Sequence, residues 1–325
     1  YLFLAVPGEG GPMAQTQTAA APQVSGGKQT RRRARNWGRY WFVAPALIFM
    51  LLTMVYPIVD NVRMSVFDLT VTTFLTNTAP FVGLDNYARV LGDPAFQKAI
   101  VTTSIFTIGS LVFQFTIGFA LALLFNKRFP GNGLLRALLL LGWMLPSVVS
   151  GSIFRWSFDG GMGIINYLLE TVGLIHGPIY WLNDATTALA ATIIANIWIG
   201  IPFNMILLLP GLQSIPQSFY EAAAIDGASS RQSFRHVTLP LMRPVILSVL
   251  LLGIIYTFKA FDVVYVMTGG GPVDATTLLT IYVYKMVFSF FRFGDGSAAA
   301  ILLLLFLSVV AVVYLWLSQR EEAAS

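Results

Sequence analysis

The sequence contains no cysteine, which excludes disulfides and thiolate-ligated metal centres. It has two histidines, His176 and His236. The topology read below puts them on opposite sides of a membrane, so neither a histidine-pair metal site nor a Ser-His-Asp triad is credible. No lysine is followed by Ser or Thr. The phosphate-binding pattern G-x-x-x-x-G-K-[ST] is therefore missing, and with it ATP hydrolysis by that route. Gly269-Gly270-Gly271 has no helix after it and reads as a loop turn, not a phosphate cradle. Charge is scarce too: Asp, Glu, Lys and Arg make up 11% of 325 residues, while 56% are hydrophobic. The mean hydropathy is +0.72. A soluble domain of this length needs more polar residues to cover its surface, so the solvent for this chain is lipid. The net charge of +5 is local. Lys28, Arg31, Arg32, Arg33, Arg35 and Arg39 crowd ahead of the first apolar run, which is a membrane-topology signal and not a nucleic-acid footprint.

What is abundant is continuous apolar sequence. About 20 apolar residues span a bilayer core as a helix. Six segments qualify: Trp41 to Val59, Ala99 to Phe125, Leu134 to Trp156, Thr187 to Leu212, Pro244 to Met267 and Ser297 to Leu317. Their apolar residues do not alternate, so a closed β-barrel is excluded and an all-α polytopic membrane protein is expected. With the N-terminus in the cytoplasm, Lys127, Arg128, Arg136, Arg231, Arg235, Arg243 and Arg320 join the basic tail inside. Arg63, Arg89, Lys98, Arg155, Lys285 and Arg292 are spread over the longer outer loops. Both termini are thus expected to be cytoplasmic. Residues 1–40 read as a disordered basic tail, 41–318 as the membrane domain and 319–325 as a short cytoplasmic tail. Met13 reads as the native start, with Tyr1 to Pro12 an artefact ahead of it.

The third and fourth spans carry helix breakers, Gly142, Pro146 and Gly151 in one and Gly200, Pro202, Pro210 and Gly211 in the other. Both are expected to be interrupted, either as packing kinks or because they border a translocation path. Candidate lining residues are the hydrogen-bonding Gln114, Asn196 and Asn204 and the rings of Trp143, Trp198, Tyr256 and Phe258, which can stack on a sugar face. Lys259 and Asp262 stand at i, i+3 on the fifth span. They are expected to form an ion pair, either self-neutralising or a polar lining at the outer end of the path.

A connection between helices needs two to eight residues, yet residues 214–244 spend about thirty between spans four and five. Ser214 is a candidate N-cap and Pro216 a first-turn proline. Ala222, Ala223 and Ala224 favour helix with almost no bulk. Gly227 can end that helix with a positive φ. Asp226, Ser229 or Ser230 can cap a second helix, which should stop before Leu239-Pro240. A compact hairpin of small residues with the acidic Glu221 is suited to dock a cationic partner surface; the alternative is an amphipathic linker lying on the bilayer.

Glu221-Ala222-Ala223, Asp226-Gly227-Ala228, Phe234, Val237, Leu239-Pro240 and Pro244 resemble the EAA loop of binding-protein-dependent ABC importer permeases. Phe261-Asp262, Met267 to Pro272, Thr276, Gly296 and Ala298, with Phe81 to Tyr87, are similar to the carbohydrate-uptake branch (maltose, multiple-sugar and glycerol-3-phosphate types). The maltose type carries two further N-terminal spans and a large external insertion, which this chain does not show. The resemblance covers residues 40–318. It implies a type I ABC importer transmembrane fold in a bacterial or archaeal cytoplasmic membrane, with segment 214–244 as the coupling helix. Glu221 would be an interfacial acid, Gly227 the turn, and Ala222 and Ala223 the close-packed face. The implied partners are a second homologous permease, two copies of an ABC ATPase and an external binding protein. ATP and Mg would be bound by the ATPase and no cofactor by this chain, which is not itself an enzyme. A glycerol-phosphate or polyol importer remains a second reading. A proton- or sodium-driven transporter would need internal repeats and midplane ionisable residues, and a membrane-embedded enzyme a catalytic constellation; neither is evident.

Overall fold

The structure, a computed structural model, describes residues 37–322, so the expectations for residues 1–36 and 323–325 lie outside the described residues. The chain divides into two compact units, Tyr1–Leu51 and Leu52–Ser325. In the first, the described residues form helix α1 (Trp37–Met50), whose Pro45 lies inside the helix. In the second, α2 (Tyr56–Ser65), α3 (Val71–Leu75) and α4 (Asp85–Gly92) precede the long α5 (Pro94–Asn126). Then follow α6 (Asn132–Met144), α7 (Ser147–Ser157), α8 (Ile164–Thr171) and α9 (Ala185–Gln213). The last third holds α10 (Gln217–Ile225), α11 (Ser230–Ser233), α12 (Leu239–Phe258), α13 (Asp262–Thr268), α14 (Leu279–Tyr284) and α15 (Phe293–Glu322). Among the described residues there is no β-strand, only the isolated bridges Phe67–Phe81 and Thr70–Arg292.

Five helical runs are long and apolar enough to cross a bilayer: Val43–Ser65, Pro94–Asn126, Ala185–Gln213, Ser230–Thr268 and Phe293–Trp316. Asn132–Met144 and Ser147–Ser157 make a sixth if the pair is one span, bent by 95°. The bend falls at Leu145-Pro146, both extended, because a residue before proline is driven out of the helical region. The fourth span corrects the expectation. α9 runs unbroken for 29 residues with Pro202 and Pro210 inside it. Each proline forfeits one backbone bond, but α9 is packed along α5, and such contacts hold a proline-bearing membrane helix together. Ala191 and Ala195 share a core with Phe106 of α5, small residues allowing the close approach that membrane helices rely on.

The fifth span also differs. Its helical run starts at Ser230, well before Pro244, and α11 passes through a π-helical stretch, Phe234–Thr238, directly into α12. The second hairpin limb therefore does not stop before Leu239-Pro240. The widened π turn removes the need for the i→i−4 bond that Pro240 cannot donate. At the far end, Lys259 and Ala260 leave the helix and Phe261 is irregular at φ −137°, ψ −64° before α13 begins.

One polar cluster joins sequence-distant elements. Asn86, fully buried, donates to the carbonyls of Ser65 (2.7 Å) and Phe67 (2.9 Å). Arg89 bonds Asp295 (3.1 Å) and Asp68 (3.4 Å), and Arg292 also pairs with Asp295. α4 and the start of α15 are held together by this shared, buried carboxylate.

Candidate functional site

The hairpin is built much as its residues dictate, with one exchange of roles. Ser214 caps the C-terminus of α9, its hydroxyl donating to the Gly211 carbonyl at 2.8 Å, and Pro216 takes the N-cap position of α10 without a side-chain bond. Gly227 closes α10 at φ +74°, where the Ala228 amide reaches back to the Ala223 carbonyl at 2.9 Å. This is a glycine-terminated helix end. Ser229 starts α11 through a capping box with Gln232; Asp226 does not cap it. Between the limbs lies a concavity of about 450 Å³ bordered by Ala222, Ala223, Asp226, Gly227 and His236. Glu221, Ala222, Asp226 and Gly227 are exposed, and Ile225 at the tip is 87% exposed.

Phe234 and Leu239 face the other way. Both pack on a core made of Phe119 from α5, Met205, Leu208 and Leu212 from α9 and Met242 from α12, with the Phe234 and Phe119 rings 6.0 Å apart. Tyr220 binds Thr238 across the limbs at 3.0 Å. Pro240 is exposed at the start of α12. The hairpin is thus a small-residue surface seated on the ends of three long helices.

At the other end of α12 is a cavity of about 370 Å³ where α5, α9, α12 and α13 meet the bend between α6 and α7. Six of the nine candidate path residues line it: Gln114, Trp143, Asn196, Tyr256, Lys259 and Asp262. Gln114, 3% exposed, donates to the Asn196 carbonyl at 2.8 Å. Gly200 makes room for it, since a Cβ there would sit 2.2 Å from the Gln114 carboxamide carbon. The Asn196 amide nitrogen is buried with no partner, an unmet donor in the cavity wall. Trp143, Phe203 and Tyr256 form a chain of rings, 6.2 and 5.3 Å between centroids.

The expected Lys259–Asp262 ion pair is not formed; among the described residues no salt bridge joins them. The break at residues 259–261 removes the helical i, i+3 geometry, and the Lys259 ammonium lies 4.8 Å from the Tyr256 ring centre instead. That is within cation–π range.

Three candidates lie elsewhere, Trp198 and Phe258 for a reason of helix phase at about 100° per residue and Asn204 because it stands two turns beyond Asn196 along α9. Trp198, two positions from Asn196, is on the opposite face of α9, against Gly142 and edge-on to Phe154 at 5.5 Å. Phe258, two positions from Tyr256, stacks on Phe306 of α15 at 4.5 Å. Asn204 is fully buried, its amide donating to the Gly200 carbonyl at 2.9 Å and its Cβ close to Gly118 of α5. The sequence reading missed Ile199 and Phe203 and took Gly200 only as a helix breaker, although with Asn196 they mark one face at i, i+3, i+4 and i+7. It also missed Phe261, which lies in the unforeseen break.

The chain is thus a bundle of five or six apolar spans with a glycine-turned hairpin seated on the ends of α5, α9 and α12. Residues 114–322 match the model of the family described as binding-protein-dependent transport system inner membrane component. The chain belongs to that family. Among its relatives is the trehalose/maltose transport system permease protein MalF of Thermococcus litoralis, 36% identical over 280 residues, 85% of this chain and 92% of that protein. The sulfoquinovosyl glycerol transport system permease protein SmoG of Agrobacterium fabrum is 37% identical over 273 residues, 84% and 87% of the two chains. The multiple sugar-binding transport system permease protein MsmF of Streptococcus mutans is 32% identical over 299 residues, 90% and 99%. The fold is that of a chain in a bacterial alginate ABC transporter solved with a periplasmic protein carrying an alginate pentasaccharide. The TM-score is 0.75 at 22% identity, covering 88% of this chain and 95% of that one. The chain is accordingly a multi-pass permease subunit of an ABC importer and not its catalytic component. The type I importer transmembrane fold expected from the sequence is the one observed.

Proposed function

We propose that this permease carries a sugar across a bacterial or archaeal cytoplasmic membrane, lining half of a path completed by a second, homologous permease. An external binding protein delivers the sugar, and two copies of an ABC ATPase, which hold the ATP and Mg, supply the energy. The chain has no phosphate-binding loop of its own, so energy must enter through contact. Exposed Glu221, Ala222 and Gly227, with half-buried Ala223, form the surface that meets the ATPase, and Phe234, Leu239 and Pro240 join that surface to the spans. Glu221 supplies a carboxylate for a basic patch.

The observation that carries the sugar reading is the cavity at Gln114 and Asn196. It combines an unmet amide donor, a chain of aromatic rings and an ammonium in a volume typical of small-molecule sites. Rings stack on the apolar face of a pyranose, while amides and the Lys259–Asp262 charges meet its hydroxyls. The names of the three relatives, given for trehalose and maltose, sulfoquinovosyl glycerol and multiple sugars, agree with this class. The test is uptake by the complete importer in proteoliposomes of labelled trehalose, maltotriose and glycerol 3-phosphate. We expect a saccharide to be carried and Asn196→Leu to raise its KM about tenfold, as loss of one buried hydrogen bond plus its desolvation implies. Uptake of glycerol 3-phosphate alone would replace the sugar by a phosphorylated polyol.

A further inference from the structure

The largest concavity among those described is not the one at Asn196. It lies at the opposite end of α9 from the hairpin, beside Leu182 and Asn183, which directly precede that helix, and holds about 860 Å³. Given the orientation proposed above, it faces outward. Its floor is α13: Asp262 and Val263 border the inner cavity, and Tyr265, Val266, Met267 and Thr268 border the groove. The Phe261 and Tyr265 rings are stacked 4.9 Å apart with 16° between planes, so aromatic surface passes without interruption from cavity to groove.

The groove walls are held in place. Asn166, 6% exposed, donates to the carbonyls of Gly160 (2.9 Å) and Ile179 (3.0 Å) and accepts from the Trp181 indole (2.7 Å). Segments 157–163 and 179–181 are thereby tied together. The Tyr180 ring lies on Gly160, where a Cβ would sit 2.3 Å from it, so the ring is clamped although the residue is 58% exposed. Within this frame, polar groups are left unused. Asp159 spends Oδ1 on the amides of Gly161 and Met162, both at 2.9 Å, and Oδ2 has no partner among the described residues. The Met162 and Gly161 amides hold the Asp159 carboxyl below the usual carboxylate range, so it is an acceptor at neutral pH. Arg155 makes one bond, Nη1 to the Val266 carbonyl at 3.3 Å, leaving most of its guanidinium donors free. Arg155 and Asp159 are four residues apart at one helix end, yet form no ion pair. The side chains of Asn183 and Tyr180 likewise have no hydrogen bond among the described residues.

From this juxtaposition we infer that the groove formed by Arg155, Trp156, Asp159, Tyr180, Asn183 and Tyr265 is a second saccharide site, an outer vestibule that binds a pyranose ring before it enters the inner cavity. Two charges of opposite sign and an amide present donors and acceptors to vicinal hydroxyls, and the exposed rings cover the apolar faces of the sugar. A docked polypeptide loop would favour a dry apolar centre, whereas this lining is mainly polar. The groove's larger volume leaves space for more than the inner cavity holds, so it also admits the next ring of an oligosaccharide.

The inference rests on the sugar reading, and its test separates the two. The complete importer in nanodiscs is irradiated with diazirine-bearing trehalose and maltotriose, and labelled peptides are identified by mass spectrometry. Two clusters are expected, one at residues 199–203 and 256–262 and one at 152–160, 180–183 and 265–269. Arg155→Gln and Asp159→Asn should each lower the second about tenfold, the scale of one charged hydrogen bond, and leave the first unchanged. Tyr180→Ala, which removes a ring without touching a charge, gives an independent variant if either charge change impairs assembly. Label confined to the inner cavity, or groove label indifferent to all three variants, overturns the vestibule while sparing the sugar reading. Label in neither place overturns both. If a photo-reactive residue at Tyr180 captures only the external binding protein and the saccharide probes never label the groove, the surface is a protein contact and the proposal falls.

Discussion

The hairpin and the inner cavity sit at the two ends of one helix, α12, and are made of opposite materials. The hairpin shows alanines, a glycine and an exposed acid, and its second limb runs into α12 through a π turn without a break. The cavity shows large rings, a buried carboxamide and an amide donor without a partner, and it forms where the same run is interrupted at residues 259–261. A twenty-residue helix about 30 Å long separates them. Continuity at one end and a break at the other let the helix serve as a lever. A push on the hairpin has no joint to dissipate in before it reaches the cavity, where the joint is. Under the proposed function, energy enters at a small-residue surface with a continuous connection to the spans, and substrate is handled where there is shape, chemistry and a place to bend.

The hardest way to break this comparison is at the hairpin. Gly227→Val forces a β-branched residue into φ +74°, a conformation costing about 1–3 kcal/mol, in a turn that sets the angle between the limbs. Glu221→Lys reverses the one carboxylate on α10. For both variants, uptake and substrate-stimulated ATPase activity in proteoliposomes are expected to disappear while membrane insertion, followed by protease accessibility, is retained. Normal transport by both would remove the docking role from this segment.

A smaller effect is expected at the cavity. Tyr256→Ala removes the ring shared by Phe203 and Lys259. Cation–π and ring contacts of this kind are worth about 1 kcal/mol each. KM for the transported saccharide should rise roughly five- to tenfold with ATPase coupling intact. Loss of basal ATPase activity instead would mean that the two ends of α12 are not separable in function. Phe258→Leu, on the opposite face against Phe306, should leave KM unchanged and serves as the control for helix phase.

How much of each region was legible in the sequence follows from this chemistry. The hairpin is specified locally: Gly227, Ser229 and the alanine run each act through backbone geometry within four residues, and periodicity and capping report such effects directly. Ser214 was misassigned only because two helices meet there and either could use its hydroxyl. The cavity is specified by three-dimensional approach. Gln114 reaches it because Gly200, on another helix, lacks a side chain, and no spacing along the chain announces that. The residues on α9 were within reach of phase arithmetic from Asn196. The Lys259–Asp262 geometry was not, since it depends on a helix break between them. Pro202 and Pro210 misled in the same way: intrinsic propensity predicted an interruption, and contact with α5 overrode it.

The smallest effects are expected outside both regions, where they sharpen the comparison by showing what neither end of α12 controls. Asp295→Ala removes the buried carboxylate shared by Arg89 and Arg292. The arginine side chains are themselves 39% and 48% exposed and regain water, so the loss should be about 1 kcal/mol and not the larger cost of a stranded buried charge. A fall of a few degrees in the unfolding midpoint with unchanged KM is the expected result. Asp274 offers the finest test. Its hydrogen bond from Lys285 at 2.7 Å holds its carboxyl below the usual carboxylate range, while Lys98 secures the neighbouring Val273 carbonyl at 2.7 Å. A group with a lowered folded-state pKa contributes stability that is fully present above its unfolded value and lost as pH falls through the folded one. Loop 269–278 should therefore resist proteolysis at neutral pH and yield below about pH 4, where carboxylates protonate. Lys285→Met should abolish that pH dependence without altering uptake. Protection that persisted under acid in the unaltered chain would show that the Val273 anchor, and not the ion pair, keeps the loop in place.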